Sequence, residues 1–290
     1  MLRKCLDSLV NQSTERAYEV IVVDNDAAKT AEVTGEKFTT AFWTRGCKLR
    51  YAVECEQNIA LARNKAVSLA TGEYIAFIDD DEEAYKDWLE TLCNTLEREQ
   101  VDGVFGLVIK VRPETVSLRL WEAGFFEDLR AGKPASRIAG MGGRTNNAII
   151  RKIALAKREG PFDKHLGRTG GEDVELFSWL DDHAYKLYWC PEARVREYID
   201  SRRATVGWQF HRAYRSGWVR AKLVVDRRGR ALAASRLLPQ ALLGSMMAVC
   251  LLLLNLRSPT VAIIKFARTM GSQLGKYGFF LGIRVIGYKG

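Results

Sequence analysis

Acidic residues cluster directly after an apolar run in the first third of the chain. The segment EYIAFIDDDEEAY, residues 73–85, passes from apolar residues into three aspartates and two glutamates. Carboxylates this close together repel one another unless a cation or protons intervene, and oxygen-only ligand sets suit Mg²⁺ or Mn²⁺. Asp81, Glu82 and Glu83 also suit the first turn of a following helix, where the helix dipole favours negative charge. The pattern therefore leaves two interpretations open, a metal site and a helix N-terminus.

A second acidic motif, RTGGEDVELFSWL at residues 168–180, combines a glycine loop with carboxylates. Gly170 and Gly171 permit backbone conformations that other residues avoid. Glu172 and Asp173 then open a segment whose apolar residues have helical spacing. One interpretation is structural, a loop followed by an acidic first turn. The other is functional, because a mobile loop of this kind can deliver a carboxylate that acts as general base on a substrate hydroxyl.

Strands and helices alternate in the part of the chain that carries these motifs. The predicted strands are 18–24, 73–79 and 102–111, and residues 186–198 are expected to form a late strand or a hairpin broken at Pro191. The predicted helices are 58–72 and 87–100. This alternation predicts an α/β fold with a mostly parallel sheet flanked by helices. Ligands of such sheets bind at the carboxyl ends of strands, so we expect the following acids to meet in one cleft: Asp24, Asp26, Asp79, Asp80 and Asp81.

Charge divides the chain into an acidic body and a basic tail. Residues 201–290 contain 16 of the 44 Lys and Arg residues but only one of the 35 acids, which leaves 28 basic and 34 acidic residues in 1–200. The tail also contains twenty uncharged residues, 237–256, enough to cross a bilayer core as a helix. A basic tail suits nucleic acid or anionic lipid, and the apolar run favours lipid. The six cysteines and three histidines show no zinc or disulfide spacing, which indicates a reducing compartment.

The motifs follow one another in an order that resembles the inverting family 2 glycosyltransferases with a GT-A fold. The segments that carry the resemblance are EVIVVDND, NIALARNKA, YIAFIDDDEEA, RTNNAIIRK, GPFDKHLGRTGGEDVELF and CPEARVREYI, within about residues 1–220. The chain most resembles bacterial enzymes that build exopolysaccharide, such as succinoglycan-type glucosyltransferases. The resemblance implies a nucleotide-sugar donor, with a UDP-hexose expected, a lipid-linked saccharide acceptor, and Mn²⁺ or Mg²⁺ as cofactor.

The resemblance also assigns roles to individual residues. The implied donor site consists of Asp24, Asp26, Arg63, Asp79 and Asp80. Within it, Asp24 matches the residue that binds the nucleotide base, Arg63 faces the nucleotide, and Asp79 lies near the donor sugar. Asp81 matches the metal ligand, with Asp79 as a second one.

Catalysis and acceptor binding are assigned in the same way. Asp173, with Glu172 beside it, matches the catalytic base, so that in-line attack on an α-linked donor gives a β-linked product. Residues expected on the acceptor side are Asn146, Asn147, Gln209 and Arg212. An aromatic cluster of Trp121, Phe125 and Phe126 either stacks on a sugar or belongs to the core.

Two departures from the family pattern affect these expectations. Family members begin with a β-strand ahead of the helix that MLRKCLDSLVNQ resembles, and this chain has no such strand. We expect either a start codon placed too late, which we favour, or a sheet that lacks the strand. In the second case the alternative to an enzyme is a non-catalytic, membrane-bound subunit that binds nucleotide sugar. The other departure is Ala213, which replaces the tryptophan of a Q-x-x-R-W signature that processive synthases carry, and it predicts transfer of a single sugar.

The tail is expected to keep the protein at the cytoplasmic face of the bacterial inner membrane. Ten basic residues in 202–236 place the body in the cytoplasm, while six basic residues in 257–290 oppose export of the chain end. The chain therefore either returns through 279–287 as a hairpin or lies in the interface against anionic lipids. We predict a glycosyltransferase domain at 1–220 and a membrane-associated tail at 221–290, with no nucleic-acid partner.

Overall fold

The computed structural model describes residues 1–123, 126, 131–139, 143–254 and 258–283. Contacts divide the chain into two units. Unit 1 consists of Met1–Val111, Glu127–Arg168 and Glu172–Tyr198, and unit 2 of Arg112–Phe126, Thr169–Gly171 and Ile199–Gly290.

The described residues form alternating helices and strands. The strands are β1 (Glu19–Asp24), β2 (Lys48–Val53), β3 (Tyr74–Ile78), β4 (Glu82–Ala84), β5 (Gly103–Val111), β6 (Ser136–Ile138), β7 (Asn147–Arg151) and β8 (Leu187–Tyr198). The helices are α1 (Leu2–Val10), α2 (Glu32–Thr44), α3 (Ile59–Leu69), α4 (Trp88–Arg98), α5 (Leu118–Glu122), α6 (Lys152–Leu155), α7 (Glu172–Asp182), α8 (Val206–Arg228), α9 (Arg230–Leu254) and α10 (Pro259–Phe280). Every predicted strand and helix of the body is confirmed, with ends shifted by a few residues.

The sheet of unit 1 is mixed rather than mostly parallel. Its strand order is β3-β7-β5-β8-β4, with β6 also paired to β8. Only β5 and β8 run parallel in this sheet, and β1 pairs in parallel with β2 in a separate two-stranded sheet. Two of the antiparallel pairs arise because β7, from the middle of the chain, lies between β3 and β5, and β4 and β6 each pair antiparallel with β8. The alternation of strands and helices indicates which elements follow one another in the chain. It does not indicate that a strand from elsewhere in the chain lies between two others in the sheet.

Strand β8 continues past Pro191, where the sequence predicted a break. Cys190 and Arg194 pair with the consecutive residues Gly106 and Leu107 of β5, so the residues between them form a β-bulge. A bulge accommodates proline because a bulged residue needs no N–H in the ladder.

Strands β1 and β3 do not pair with each other, and a cavity of about 970 Å³ lies between them. Every residue of 18–24 and of 74–80 lines this cavity, as do residues of α1 and α3. Side chains alternate between the two faces of a strand, so a cavity that touches consecutive residues lies beside the strand edges. The cavity therefore separates β1 from β3 in the described part of the chain.

Two apolar clusters hold the helices of unit 1 on its sheets. One buries α1, α2 and α4, with Leu6, Phe42 and Leu92 almost fully enclosed. The other buries α3 and α7, and in it the rings of Phe105 and Phe177 meet edge to face at 4.6 Å. Such aromatic pairs add stability beyond the area they bury. The second cluster therefore anchors the helix that begins with the second acidic motif.

Unit 2 contains α5, a 3₁₀ turn at Ser201–Ala204 and the three long helices α8, α9 and α10. Helix α8 runs without interruption through residue 220, so the predicted boundary there falls inside a helix, whereas the contacts divide the chain after Tyr198. The change of charge at residues 200/201 lies close to this division, whereas a continuous helix is not visible in a charge count.

Helix α9 is the one described helix that is long and apolar enough to cross a membrane, over Arg230–Leu253. Only 22% of its most apolar stretch is buried. The exposed apolar residues of α9 include Leu242, Leu243, Met246, Met247 and Leu253. Residues 255 and 256 of the predicted helix lie outside the described residues.

The segment 279–287, through which one of the two predicted arrangements returns, is only partly described. Phe279 and Phe280 belong to the end of α10, which begins at Pro259, and residues 284–287 lie outside the described residues. Lys265, Arg268 and Lys276 interrupt the apolar residues of α10, and for that reason hydropathy alone does not reveal this helix.

Candidate active site

Arg63 joins the two acidic motifs. It lies in α3, a helix that begins at Ile59 because the Asn58 side chain accepts hydrogen bonds from the first backbone N–H groups. From there the guanidinium donates through Nη1 to Glu172 Oε1, and its Nη2 lies 3.7 Å from Asp79 Oδ1. The two motifs, distant in the sequence, thus meet at one arginine. The structure places Arg63 between two carboxylates, beside the donor residues with which it was predicted to act.

Glu82 holds the loop of the first acidic motif. Its Oε2 accepts from the backbone N–H of Asp79 and its Oε1 from Asn146 Nδ2, both at 3.1 Å. Burial, followed by the charge of Asp79, raises the pKa of Glu82 well above its usual value. The helix N-terminus interpretation is wrong for Glu82 and Glu83, because both lie in β4. Helix α4 begins only at Trp88.

Negative charge accumulates around Asp79. Burial raises the pKa of Asp79 to about 6, with Asp81 and two further carboxylates acting in the same direction and Arg63 opposing them. Within the described ranges no three His, Cys, Asp or Glu side chains are grouped so that they alone could hold a metal ion. The protein nevertheless often contributes only two carboxylates to a Mg²⁺ site, because substrate phosphates and water supply the other ligands. Asp79 and Asp81 fit that chemistry.

Asp24 is held by three donors of its own chain. Its Oδ2 accepts from the backbone N–H of Ala31 and from the hydroxyl of Tyr51, each at 2.8 Å, and its Oδ1 from the backbone N–H of Asp26. Burial and the Asp24 carboxylate raise the pKa of Tyr51 to about 12, so the phenol remains a donor at neutral pH. Sequence reasoning missed Tyr51 because it did not predict β2, for which the run LRYAV was the available signal.

Several predicted donor residues converge on the cavity beside β1 and β3. Its lining includes Asp24, Arg63, Asp79 and Asp80. Asp26 and Asp81 are not among its lining residues, and Asp26 instead accepts from the backbone N–H of Ala28 in a tight turn. Of the five strand-end acids, Asp24 at the end of β1 and Asp79 and Asp80 after β3 therefore line one cavity, and a shared role in donor binding stays a prediction.

The first turn of α7 carries the predicted base. Asp173 is half-buried, and its Oδ1 accepts from the backbone N–H of Val174 at 2.7 Å. Glu172 is 4% exposed, and burial together with Asp173 raises its pKa while Arg63 lowers it. Gly170 and Gly171 both have positive φ, as predicted for a glycine loop before this helix. Asp173 is thus partly accessible, whereas the neighbouring Glu172 is buried and paired with Arg63.

The structure gives different roles to the residues that were predicted on the acceptor side. Asn147 is 2% exposed, and its amide is fully used: Oδ1 accepts from Trp88 Nε1, and Nδ2 donates to the carbonyls of Leu107 and Ala193. Asn147 therefore stabilises the fold, and we do not retain it as an acceptor ligand. Asn146 donates a hydrogen bond to Glu82, and its contact with the acceptor stays a prediction.

Gln209 has a structural role, and the structure decides between the two interpretations of the aromatic cluster. Gln209 is 2% exposed and donates to the carbonyl of Arg203, which is a structural role within unit 2. Arg212 lies with its guanidinium over the ring of Trp208. Phe126 is buried and stacks on Trp121 in an apolar cluster, so its role is core, and Phe125 lies outside the described residues.

Replacing Asn147 by alanine is expected to lower the free energy of unfolding by about 3 kcal/mol, because one indole N–H and two carbonyls lose their buried partner. Chemical denaturation monitored by circular dichroism measures this change. The matched control is Asn94→Ala, which removes an exposed amide whose hydrogen bonds go to the side chains of Arg16 and Glu90 at the surface. Equal stability losses in the two variants would contradict the structural role of Asn147.

Comparison with known proteins matches this chain to one family. The model of the family named Glycosyl transferase family 2 matches residues 1–156. The succinoglycan biosynthesis protein ExoM of Rhizobium meliloti is 31% identical over 216 residues, which cover 73% of this chain and 67% of that protein. The glycosyltransferase AglE of Haloferax volcanii is 27% identical over 64% of this chain and 59% of its own length.

A solved structure supports the fold. The crystal structure of S. aureus TarS 1-349 in complex with UDP-GlcNAc superposes with a TM-score of 0.54 at 13% identity, covering 97% of this chain and 88% of that one. At this identity the similarity establishes a shared GT-A-like α/β architecture. With a family match over more than half of the chain and a relative above 30% identity, the chain belongs to glycosyl transferase family 2.

Proposed function

We propose that this glycosyltransferase moves a hexose from a UDP-sugar to a hydroxyl of a lipid-linked saccharide during synthesis of a bacterial surface polysaccharide. One observation carries the proposal: Arg63 contacts both Asp79, at the acidic end of β3, and Glu172, at the start of α7. One arginine therefore links the proposed nucleotide-sugar site to the helix that carries the proposed base. The name of the Rhizobium relative supports the polysaccharide.

Asp173 acts as general base in this proposal. It would take the proton of the acceptor hydroxyl as that oxygen attacks the anomeric carbon from the side opposite the nucleotide. Attack from that side inverts the configuration, so an α-linked donor gives a β-linked product. The half-buried position of Asp173 supports this role, because a base must reach substrate yet be partly shielded from water.

Asp79 and Asp81 would hold a divalent cation together with the donor diphosphate. When bound, Mn²⁺ or Mg²⁺ would stabilise the negative charge that develops on the departing nucleoside diphosphate. The chain's own contribution is to hold the acidic loop in place, through the two hydrogen bonds that Glu82 accepts from Asp79 and Asn146. Asp24 and Arg63 would bind the nucleotide beside this loop.

The tail is proposed to keep the enzyme at the cytoplasmic face of the inner membrane. The exposed apolar residues of α9 and the basic residues of 202–236 suit an interface with anionic lipids. A second relative supports a lipid-linked acceptor, since it is named glucosyl-dolichyl phosphate glucuronosyltransferase and is 24% identical over 76% of this chain.

The alternative is a membrane-bound subunit that binds nucleotide sugar without transferring it. The open gap between β1 and β3 motivates this alternative, because an incomplete sheet beside the donor residues could leave them unable to support turnover.

A donor screen on washed membranes tests the proposal. Release of nucleoside diphosphate is measured across a panel of UDP-, GDP- and TDP-sugars, with Mn²⁺ or with EDTA, and binding of each donor is measured in parallel. We expect metal-dependent release of UDP from one UDP-hexose, in the membrane fraction. Donor binding without release would support the non-catalytic subunit, and activity only in the soluble fraction would contradict the membrane part.

A further inference from the structure

Two arginines of β8 lie over the ring of one tyrosine. Arg194 and Arg196 are two residues apart in β8, and side chains with that spacing lie on the same face of a sheet. Tyr85 directly follows β4, which pairs antiparallel with β8, and its backbone N–H donates to the carbonyl of Arg194 at 3.1 Å. The guanidinium carbon of each arginine lies 4.7 Å from the centroid of the Tyr85 ring. Strand pairing thus brings two positive charges to one aromatic ring.

The charges of these two arginines are not balanced by an acid of the described residues. Neither guanidinium forms an ion pair with a carboxylate in that part of the chain. Glu83 acts electrostatically on Arg196. Its carboxylate, however, lies 3.5 Å from Lys4 Nζ and accepts a hydrogen bond from the Tyr198 hydroxyl at 3.2 Å. Two neighbouring cations that repel each other are therefore stabilised by an aromatic ring but not by a carboxylate of their own.

Both arginines keep hydrogen-bond donors that the described residues do not use. Arg196 is exposed, and its Nε donates to the Tyr85 hydroxyl at 3.0 Å, which leaves the N–H groups of both Nη atoms for another acceptor. Arg194 is half-buried and makes no side-chain hydrogen bond within the described part of the chain, and its Nε is buried as well. Native proteins leave few buried donors unsatisfied. The pair is therefore short of acceptors, and its exposed side at Arg196 can be reached from solvent.

The chemistry of the pair indicates an oxyanion as the missing acceptor. A guanidinium that stacks on a ring uses its flat face, so the N–H groups along its edge still form a planar fork. Such a fork matches the oxygen pairs of phosphate and carboxylate. A phosphate group carries a charge of about −1.5 to −2 at neutral pH, whereas a carboxylate carries a single negative charge. Two positive charges on one ring therefore favour a phosphate.

We propose that Arg194 and Arg196, aligned by Tyr85, bind a phosphate group at a site outside the donor cavity. None of these three residues is among those that line the cavity between β1 and β3. The phosphate belongs either to a lipid headgroup or to a soluble compound, because the arginine forks recognise the same chemistry in both. The inference does not depend on sugar transfer, since it rests on the charges and donors of β8 alone.

Binding of inorganic pyrophosphate to the full-length protein in detergent tests the proposal. Calorimetric titration is carried out in EDTA, so that the acidic run cannot hold the probe through a cation, and acetate serves as the carboxylate probe. The parent is compared with Arg196→Gln and with the double variant Arg194→Gln/Arg196→Gln. The matched control is Arg3→Gln, which removes an arginine of α1 whose side chain is 82% exposed.

The parent is expected to bind pyrophosphate at least about 10-fold more tightly than acetate, because the diphosphate carries more charge. Arg196→Gln should weaken pyrophosphate binding about 10-fold and the double variant about 100-fold, since charge-assisted hydrogen bonds are lost. Arg3→Gln should stay within about 2-fold of the parent, because exposed charges at a distance are screened. Circular dichroism checks that the variants are folded, and the exposed position of Arg196 makes its single variant the safer test.

Two substitutions of Tyr85 examine how the arginines are aligned. Tyr85→Phe keeps the ring and should bind pyrophosphate within about 3-fold of the parent, whereas Tyr85→Leu removes the ring and should bind about 5-fold more weakly. A role of the arginines through charge alone would leave both Tyr85 variants equal to the parent. That result would contradict the alignment by Tyr85.

Vesicle flotation distinguishes the two sources of phosphate. Binding to phosphatidylcholine vesicles with and without phosphatidic acid is compared in the parent and in the double variant. If the double variant loses pyrophosphate binding and also the added affinity for phosphatidic acid, the site holds a lipid headgroup. If it loses pyrophosphate binding alone, the site holds a soluble phosphate. Equal pyrophosphate binding by the double variant and the parent, or acetate bound as tightly as pyrophosphate, would overturn the phosphate site whether or not the protein releases UDP.

Discussion

Sugar transfer by the Asp173→Asn variant is expected to be about 10²- to 10⁴-fold slower than by the parent protein, with donor binding nearly unchanged. The amide has almost the shape of the carboxylate but cannot take the proton of the acceptor hydroxyl. Donor binding should persist because the proposed base acts on the acceptor, while the proposed donor contacts come from the end of β1, the residues after β3, and α3. Release of UDP measures the first effect, and calorimetric titration with the UDP-sugar measures the second.

The control for this experiment is Asp181→Asn, at the exposed opposite end of the same helix. It makes the same chemical change without approaching the site, so its rate should equal that of the parent. Equal rates for Asp173→Asn and the parent would remove Asp173 from the mechanism. Loss of donor binding in Asp173→Asn would instead indicate that the helix start has been disturbed, which Glu172 and Arg63 are expected to prevent.

The Asp81→Ala variant is expected to lose about 10²- to 10³-fold in kcat/KM when Mn²⁺ or Mg²⁺ is present, because a cation held at the diphosphate stabilises charge by several kcal/mol. Its donor affinity should no longer respond to the metal. In the parent, by contrast, EDTA should weaken donor binding. Titration of the UDP-sugar with and without metal, in both proteins, measures this coupling.

Asp87→Ala is the matched control for the metal experiment. Asp87 is an exposed acid six residues further along the chain, at the N-terminus of α4, and its side chain makes no capping hydrogen bond there. Its removal should leave the metal response intact. If donor binding by the parent is the same in EDTA and in Mn²⁺, the acidic run is not a metal site, and its carboxylates then serve the nucleotide or the loop directly.

The acidic run illustrates where sequence reasoning succeeds and fails. Two like-charged residues at the end of a strand predicted a functional site, and the structure brings Asp79 next to Arg63 and the second acidic motif. The same pattern left open a helix turn at Glu82, whereas Glu82 lies in β4 and holds the loop. A three-residue strand is too short to give a periodic signal, and its partner, Glu197 in β8, is more than one hundred residues away.

The asparagines of the RTNNA segment give a second case. Adjacent amides in a family motif suggest two similar roles, yet Asn146 points to Glu82 and Asn147 to Trp88 and two carbonyls. Neighbouring residues at the start of a strand face opposite sides. Which side is the site and which is the core depends on the sheet neighbours of β7, and these are β3 and β5.

The sequence alone determined the class of fold, the order of the main strands and helices, and the identity of the acids that could do chemistry. These follow from local periodicity and from motifs, which the chain carries within short windows. Only the tertiary structure decided the mixed order of the sheet, the gap between β1 and β3, and the pairing of Arg63 with Glu172. Each of these depends on contacts between residues far apart in the chain, whose geometry is set by packing rather than by any local pattern.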